Sequence, residues 1–269
     1  MVRKVAQKWT LKTPGEIEAM RATGIALAAA LRTMRDAIVP GKTTTGELDE
    51  IAGEVLKSYG AKSALFGYKP PWTEDVYLHN SCISVGDEVI HGVPHKKRRL
   101  REGELVSLDM TAQLDGWCAD STISTIVGKK VLPKAKRINQ ITREAMYLGI
   151  EKAVAGNTMR DVSWAIQNHV EKNGMSVVRE LVGHGIGREP HEDGLDVPCF
   201  VGSEADKTMI QLGMTFCVEP MVIFGKSDVV HIEEDPWTIV SADRSIACHW
   251  EHTIAVTENG PVILTLPPK

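Results

Sequence analysis

The stretch ELVSLDMTAQLDGWCADSTIST, at residues 104–125, decides the fold. Its apolar and β-branched residues are typical of two strands, and Asp115-Gly116 at its middle is a strong signal for a hairpin turn. Each predicted strand carries one aspartate, Asp109 or Asp120, and no lysine or arginine lies within the stretch. An ionised carboxylate on a buried strand is costly unless a positive charge meets it. We therefore expect a cation from outside this stretch near the two aspartates.

The composition is that of an ordinary globular protein. The chain has 269 residues, of which 43% are hydrophobic and 25% charged, and its net charge is -4. This balance gives no sign of nucleic-acid binding, and the short basic cluster at residues 96–99 is interpreted as a solvated loop. No apolar run reaches the roughly 18 residues that cross a bilayer, and the N-terminal residues lack a secretory signal pattern. Five scattered cysteines without a C-x-x-C pair indicate reduced thiols in a cytosolic protein.

The helix signals occur twice along the chain. Thr13–Glu16 and Thr44–Glu47 have the form of helix-capping boxes, so two helices are predicted early in the chain. The second of these helices is expected to end at Gly60. The same spacing of apolar residues returns later in the chain and ends at Gly174. The sequence therefore predicts two structurally related halves.

Each predicted half also carries two acids on predicted strands. One acid stands six residues after a glycine, and the other begins an acid-x-Thr-Ile sequence. These four acids are Asp109, Asp120, Glu219 and Glu251. The second pair is further apart in the chain, so a longer excursion is predicted at roughly residues 225–244. The agreement in order favours duplication, with halves at about 13–130 and 131–262 related by a pseudo-twofold axis.

Four carboxylates near such an axis would repel one another, and divalent metal ions would compensate their charge. The alternative is four separate, exposed acids at strand ends, which we would favour for any single acid but not for four in matched positions. His184 is flanked by glycines and has little to pack against, so it is a candidate ligand. An oxygen-rich set with one imidazole suits Mn, Fe, Co or Zn, and it is unlike a structural zinc site.

Six stretches of the chain resemble the type I methionine aminopeptidases. In chain order they are PGKTTTGELDEI, SCISVGDEVIHGVP, SLDMTAQLDGWCADST, GHGIGREPHED, VEPMV and WEHTIAVTENGP. The resemblance extends over about residues 13–261. It implies an α+β fold of the pita-bread type, in which two pseudo-twofold-related halves form an antiparallel sheet covered by helices. It also implies one metalloaminopeptidase catalytic domain over residues 1–269, with two divalent metal ions.

The resemblance implies roles for individual residues. The residues that match metal ligands are Asp109, Asp120, His184, Glu219 and Glu251. Asp120 and Glu251 match the acids that bridge both metals, and Glu219 matches the acid that carries the proton. His91 matches the histidine near the substrate amine and the reacting centre, and His191 matches the one that contacts the scissile amide. The residues that match the lining of the methionine side-chain pocket are Tyr68, Cys82 and Trp237.

The implied activity is that of a metallo-exopeptidase. It removes the initiator methionine from nascent proteins and peptides when the second residue is small, by hydrolysis assisted by two divalent ions of Co, Mn, Fe or Zn. The implied partners are nascent polypeptide N-termini, and docking on the ribosome is left open. We expect no specific nucleic acid and no membrane as partners, and a monomer in the cytoplasm.

Two other functions fit parts of the pattern. A prolyl-specific metalloaminopeptidase usually has an extra N-terminal domain, whereas only about a dozen residues precede the first predicted helix here. A metal-free binding module would be expected to lose ligands, and all five are present. Three departures from the family pattern leave the pocket rim and the second-residue specificity open. They are the longer segment 69–80, Pro190 in place of a larger apolar residue, and Gly194 in place of a frequent proline.

Overall fold

The computed structural model describes residues 9–69, 74–232 and 235–268, and every structural statement below concerns these ranges. The α-helices are α1 (Pro14–Asp36), α2 (Thr45–Ser58), α3 (Pro133–Lys152) and α4 (Met159–Lys172). The strands are β1 (Lys62–Ser63), β2 (Cys82–Val85), β3 (Glu88–Ile90), β4 (Leu105–Leu114), β5 (Trp117–Ile126), β6 (Ser176–Val177), β7 (Gly183–Gly185), β8 (Glu192–Val197), β9 (Thr215–Val218), β10 (Met221–Ile223), β11 (Val229–His231), β12 (Ile239–Ser241), β13 (Ala247–His249), β14 (Glu251–Thr257) and β15 (Gly260–Ile263).

The predicted hairpin is confirmed and forms the middle of the main sheet. Strands β4 and β5 pair antiparallel over their full length. The turn residues Asp115 and Gly116 both have positive φ, 50° and 77°, as a two-residue type I′ hairpin requires. In the register of this hairpin Asp109 lies opposite Thr122, and Asp120 lies opposite Thr111. Each acid therefore has a threonine as its cross-strand neighbour.

The main sheet has nine strands in the order β1-β4-β5-β14-β9-β7-β8, with β2 added to β4 and β15 to β14. The contact between β5 and β14 joins the two predicted halves, because Thr122 lies opposite Glu251 across these strands. Helices α1 and α2 pack together over the hairpin, and α3 and α4 pack together over the other half of the sheet. The predicted α+β class of helices covering an antiparallel sheet is therefore confirmed.

Matched glycines adopt the same backbone conformation in the two parts of the chain. Gly60 and Gly174 follow α2 and α4 with φ of 73° and 74°. Gly103 and Gly213 precede the acid-bearing strands with φ of 87° and 84°. These values lie in the left-handed region that glycine adopts without steric cost. The division of the chain near residue 130 stays a prediction.

The predicted excursion is a hairpin that crosses to the other half. Its strands β11 and β12 pair with each other, and β12 pairs with β3 so that Ile239 lies opposite Ile90. This pairing brings Trp237 and its neighbours beside His91, which directly follows β3. Within the described ranges, none of the helices has the length and apolar character needed to cross a membrane.

The C-terminal segment is held against α1 by a close contact at Gly24. A Cβ atom at this position would overlap the backbone carbonyl of Leu264, just after β15. We expect Gly24→Ala to lower the free energy of unfolding by about 1–3 kcal/mol, because backbone atoms cannot move aside easily. Gly15→Ala is the matched control in the same helix, since no atom lies within 4 Å of a Cβ built there. Urea unfolding should leave this control unchanged or more stable, and equal midpoints for the two variants would contradict the prediction.

Candidate metal centre

The five predicted metal ligands line one cavity of about 190 Å³. Asp109 and Asp120 project from the hairpin, and Glu219 directly follows β9. Glu251 begins β14, and His184 is the central residue of β7. His91, His191 and Cys82 line the same cavity. The structure thus brings together five predicted ligands that are up to 142 positions apart in the chain, from Asp109 to Glu251 (251 − 109 = 142).

Threonine hydroxyl groups hold one oxygen of several of these carboxyl groups. Thr111 Oγ1 donates to Asp120 Oδ2 at 2.6 Å. Thr122 Oγ1 lies 2.9 Å from Asp109 Oδ1 and 3.0 Å from Glu251 Oε2. A hydroxyl group has a single proton, so it donates to only one of these two carboxylates at a time. Without a cation, the other short contact requires that a carboxyl group be protonated.

Two further carboxyl oxygens of the cluster have no hydrogen-bond partner in the described part of the protein. Among the described residues, Asp120 Oδ1 and Glu251 Oε1 are buried atoms without a hydrogen bond. Ligand atoms of Asp109, Asp120 and Glu251 lie within 4.8 Å of one another. Unsatisfied buried carboxyl oxygens are costly, and hard or borderline divalent cations take such oxygens as ligands. The residues present therefore fit a divalent metal centre.

Burial raises the pKa of all four acids in the cavity, and neighbouring carboxylates add to the rise for Asp109, Asp120 and Glu251. Burial raises the pKa of Asp109 to about 6 and the pKa of Glu219 to about 8. The pKa values of Asp120 and Glu251 lie well above the usual range, through burial first and then through the neighbouring carboxylates. Bound divalent cations would reverse this effect, because they stabilise the ionised form of each ligand.

His184 presents an unprotonated nitrogen to the acids. Its Nδ1 lies 3.1 Å from the carbonyl oxygen of Gly185 and donates to it, which leaves the lone pair on Nε2. Nε2 lies 3.6 Å from Glu219 Oε1 and 3.9 Å from Asp120 Oδ2. The glycine before it is needed because a Cβ at Gly183 would lie 2.5 Å from the Cys217 carbonyl oxygen of β9. The glycines that drew attention to His184 thus let β7 lie close against its neighbours.

A second, more apolar cavity of about 450 Å³ adjoins the first. The three predicted pocket residues, Tyr68, Cys82 and Trp237, all line it. His91 and His191 line both cavities, so they stand between the carboxylates and the apolar space. His91 has a φ of 56°, an unusual conformation for a residue other than glycine that is often found at functional sites.

Sequence reasoning missed several residues of the two cavities. Tyr77 and His231 line the apolar cavity, and the Tyr77 ring packs edge-on against Trp237 with centroids 5.1 Å apart. His249 lines the acidic cavity, and Cys217 lies with His184 and Glu251 in a second group of ligand atoms within 4.8 Å. The H-x-E spacing of His249 and Glu251 is the signal that could have found the histidine, because alternate residues of extended chain share a face.

Comparison with known proteins agrees with this geometry. The model of metallopeptidase family M24 matches residues 18–258. The chain belongs to metallopeptidase family M24. It is 39% identical over 251 residues to the methionine aminopeptidase of Aquifex aeolicus, a match that covers 93% of this chain and 96% of that protein. The crystal structure of methionine aminopeptidase from Thermotoga maritima is 40% identical with a TM-score of 0.88, and the match covers 96% of this chain and 99% of that one.

A more distant M24 structure shares the fold alone. Prolidase from Pyrococcus furiosus has a TM-score of 0.73 at 23% identity, and the match covers 66% of that chain. The predicted family and pita-bread fold are therefore confirmed, and the chain is an enzyme. Membership of a metallopeptidase family also implies divalent metal ions, in agreement with the free carboxyl oxygens of the acidic cavity.

The departures from the family pattern lie near the cavities. Gly194 has a φ of 87°, which proline cannot adopt because its ring fixes φ near −65°, so the backbone of β8 differs there from a chain with proline. Pro190 directly precedes His191 and is half-buried. Part of the longer segment, residues 70–73, lies outside the described residues.

The raised pKa values predict how pH affects the metal-free protein. Glu219 titrates at about 8 in the folded state against 4.5 ordinarily, and Asp109 at about 6 against 3.8. The folded state therefore holds more protons than the unfolded chain between these values, so this contribution to stability is full at low pH and is lost as pH rises through about 8. We expect the melting temperature of the metal-free protein to fall between about pH 6.5 and about pH 8, above the pH range in which the buried histidines titrate.

Divalent metal should counteract that fall, because ligands bind metal in their deprotonated form. Calorimetric melting of metal-free and metal-loaded protein across the same pH series measures both effects. Glu219→Gln is the diagnostic variant. It lacks the group that titrates at about 8, so the part of the fall in melting temperature near this pH should disappear. A metal-free protein that becomes more stable as pH rises from about 6.5 to about 8 would contradict the prediction, because the buried histidines contribute an opposite change only below about pH 6.5.

Proposed function

We propose that the enzyme removes N-terminal methionine from peptides and nascent proteins when the second residue is small. The observation that carries the proposal is the junction of the two cavities. A group of carboxylates with free oxygens adjoins an apolar, aromatic-lined space, and His91 and His191 stand at the junction. A peptide whose first side chain fills the apolar cavity would therefore present its first amide bond to the acidic cavity.

We propose that Asp109, Asp120, His184, Glu219 and Glu251 would hold two divalent ions. The free Asp120 Oδ1 and Glu251 Oε1 support this proposal, because each of these two carboxyl groups has one oxygen held by threonine and one available. Divalent ions in such a centre supply the Lewis acidity that activates water near neutral pH and polarises a carbonyl group.

The side chains of the protein supply the proton transfers and the positioning. Glu219 accepts the proton of the attacking water and returns it to the leaving amine, a role that its carboxyl group can fill because it lines the acidic cavity. His191 donates a hydrogen bond to the oxygen of the scissile amide as negative charge develops there. His91 lies at the substrate amine and assists at the reacting centre. Burial lowers the pKa of His91 to about 4, so the imidazole is neutral at pH 7.

The pocket assignment follows from the apolar cavity. Tyr68, Cys82 and Trp237 would contact the methionine side chain, whose unbranched thioether adapts to an irregular apolar space. The second side chain would lie beside His191, whose ring centroid is 3.9 Å from that of His184 and 6.4 Å from that of Tyr68. A bulky second residue would displace the carbonyl group from its productive position.

We also propose that the enzyme acts on nascent N-termini as a monomer in the cytoplasm. Its five cysteines are all unpaired and buried, which suits a reducing compartment. Docking on the ribosome is left open, and cosedimentation of the metal-loaded protein with ribosomes tests it.

The specificity can be tested with matched peptides. Met-Ala-Ser should be cut far faster than Met-Leu-Ser, because a shift of the reacting carbonyl by about 1 Å costs roughly 10²-fold in rate. Metal-stripped protein titrated with Fe(II), Mn(II), Co(II) or Zn(II) should regain this activity, while Ala-Pro peptides stay uncut. Equal kcat/KM for the two methionine peptides at the same metal loading would refute the small-residue rule. Faster cleavage of Ala-Pro peptides would instead indicate a prolyl-specific enzyme.

His91 should affect catalysis without affecting the metal. We expect His91→Ala to bind two metal ions per chain and to lower turnover by roughly 10²–10⁴-fold, the range for loss of a proton-transfer group. Metal content by elemental analysis and turnover of Met-Ala-Ser separate the two effects. Loss of metal together with turnover would make His91 a ligand instead.

A further inference from the structure

His249 is the imidazole of the acidic cavity that has no role in the mechanism above. The residue is 3% exposed, and its Nε2 is a buried atom without a hydrogen-bond partner. A buried polar atom without a hydrogen-bond partner costs free energy. The presence of His249 Nε2 in the acidic cavity therefore calls for an explanation. Nε2 lies 3.6 Å from Glu219 Oε2, which is about 0.5 Å longer than a hydrogen bond.

The backbone of His249 is fixed to the hairpin by two serines. Ser107 and Ser124 face each other across β4 and β5, and their hydroxyl oxygens are 2.7 Å apart. Ser124 Oγ donates to the His249 carbonyl oxygen at 2.6 Å, and the His249 N–H donates to Ser107 Oγ at 3.3 Å. The same hairpin carries Asp109 and Asp120, so the imidazole is held in register with these acids.

The other neighbour of His249 is the chain that carries Glu219. Strand β13 pairs with β10 so that His249 lies opposite Met221, two residues after Glu219. The Glu219 carboxyl group therefore lies between two imidazoles, with Oε1 3.6 Å from His184 Nε2 and Oε2 3.6 Å from His249 Nε2. The two rings differ in role, because the Nδ1 hydrogen bond of His184 leaves its Nε2 unprotonated, whereas His249 can carry its proton on Nε2.

We propose that His249 is a positioning residue whose Nε2–H donates to Glu219 Oε2 when the centre holds metal. The hydrogen bond fixes the orientation of this carboxylate and leaves Oε1 for the metal and the proton. Contacts in active sites often shorten only in the loaded state. Direct ligation of the metal by His249 is the alternative, and the visible absorption of bound Co(II) distinguishes it from the positioning role.

Three substitutions of His249 separate the donor from the bulk of the ring. His249→Gln places an amide donor at a reach similar to Nε2, His249→Asn places the same donor one carbon short, and His249→Leu removes it. We expect Asn and Leu to weaken Co(II) binding to the metal-stripped protein by about 10–100-fold, and Gln to keep the parent affinity, since removing a hydrogen bond to a ligand has effects of this size. Isothermal titration calorimetry measures the affinity, and the visible absorption of bound Co(II) reports its coordination.

The control is His169→Gln. His169 pairs with Glu144 on the helical side of the protein, with 3.0 Å between Nε2 and Oε2, and it does not line the cavity. This variant should bind Co(II) as the parent does. If His249→Leu fails to fold, the comparison of Gln with Asn still decides, because these variants differ by a single methylene group.

Three outcomes would overturn the positioning role of His249, and a fourth would overturn the metal centre on which this role rests. Unchanged Co(II) affinity in the Asn and Leu variants would overturn the positioning role, and so would equal loss in Gln and Asn. A changed Co(II) spectrum in Gln as well as Asn would make His249 a direct ligand. The inference rests on the metal centre proposed above, and failure of that centre is distinguishable, since the parent protein itself would then bind no Co(II).

Discussion

The structure depends on the repulsion among four buried carboxyl groups. None of the described residues that line the acidic cavity is a lysine or an arginine, so no side chain of fixed positive charge compensates the acids. Burial raises the pKa values of Asp109 and Glu219, so protonation relieves the repulsion in the metal-free state. Divalent ions would relieve it in the working enzyme. The same residues therefore limit the stability of the empty fold and create affinity for metal.

The topology brings these acids together from several strands of the main sheet. Two come from one hairpin and two from the strands around β9 and β14, and the contact of β5 with β14 places Thr122 between Asp109 and Glu251. The Thr122 hydroxyl group can donate to a carboxylate on either of the two neighbouring strands, β4 or β14. Duplication of a helix–helix–strand unit is a simple way to bring four acids to one axis, because each unit needs to place only two.

Local patterns predicted the parts of the fold that local chemistry controls. Asp115-Gly116 specified its turn because both residues must have positive φ, and the capping boxes at Thr13 and Thr44 specified the helix starts. The glycines beside His184 were unusual enough to mark a site. The repeated position of acids on apolar strands predicted convergence, and the resemblance to a family supplied the individual ligands, Glu219 among them.

Long-range pairing determined what local patterns could not show. His249 enters the cavity because β13 pairs with β10 while two serines of the distant hairpin hold its backbone. The apolar wall at Trp237 forms because β12 pairs with β3, across an irregular register that no local signal encodes. Both features depend on short strands of three residues, whose pairing the surrounding fold selects, because segments this short have little register preference of their own.

The junction between the two cavities links recognition to chemistry. Transfer of an apolar side chain from water to the space beside Trp237 is favourable. The carboxylates of the acidic cavity, in contrast, require charge compensation. In the proposed function, divalent ions would supply this compensation, and a peptide with an apolar first side chain would place its first amide bond between His91 and His191. Binding of the side chain would thus limit the amide to a few orientations, which would lower the entropic cost of reaching the reacting geometry. The residues at the junction would then control both which peptide binds and which bond is exposed to hydrolysis.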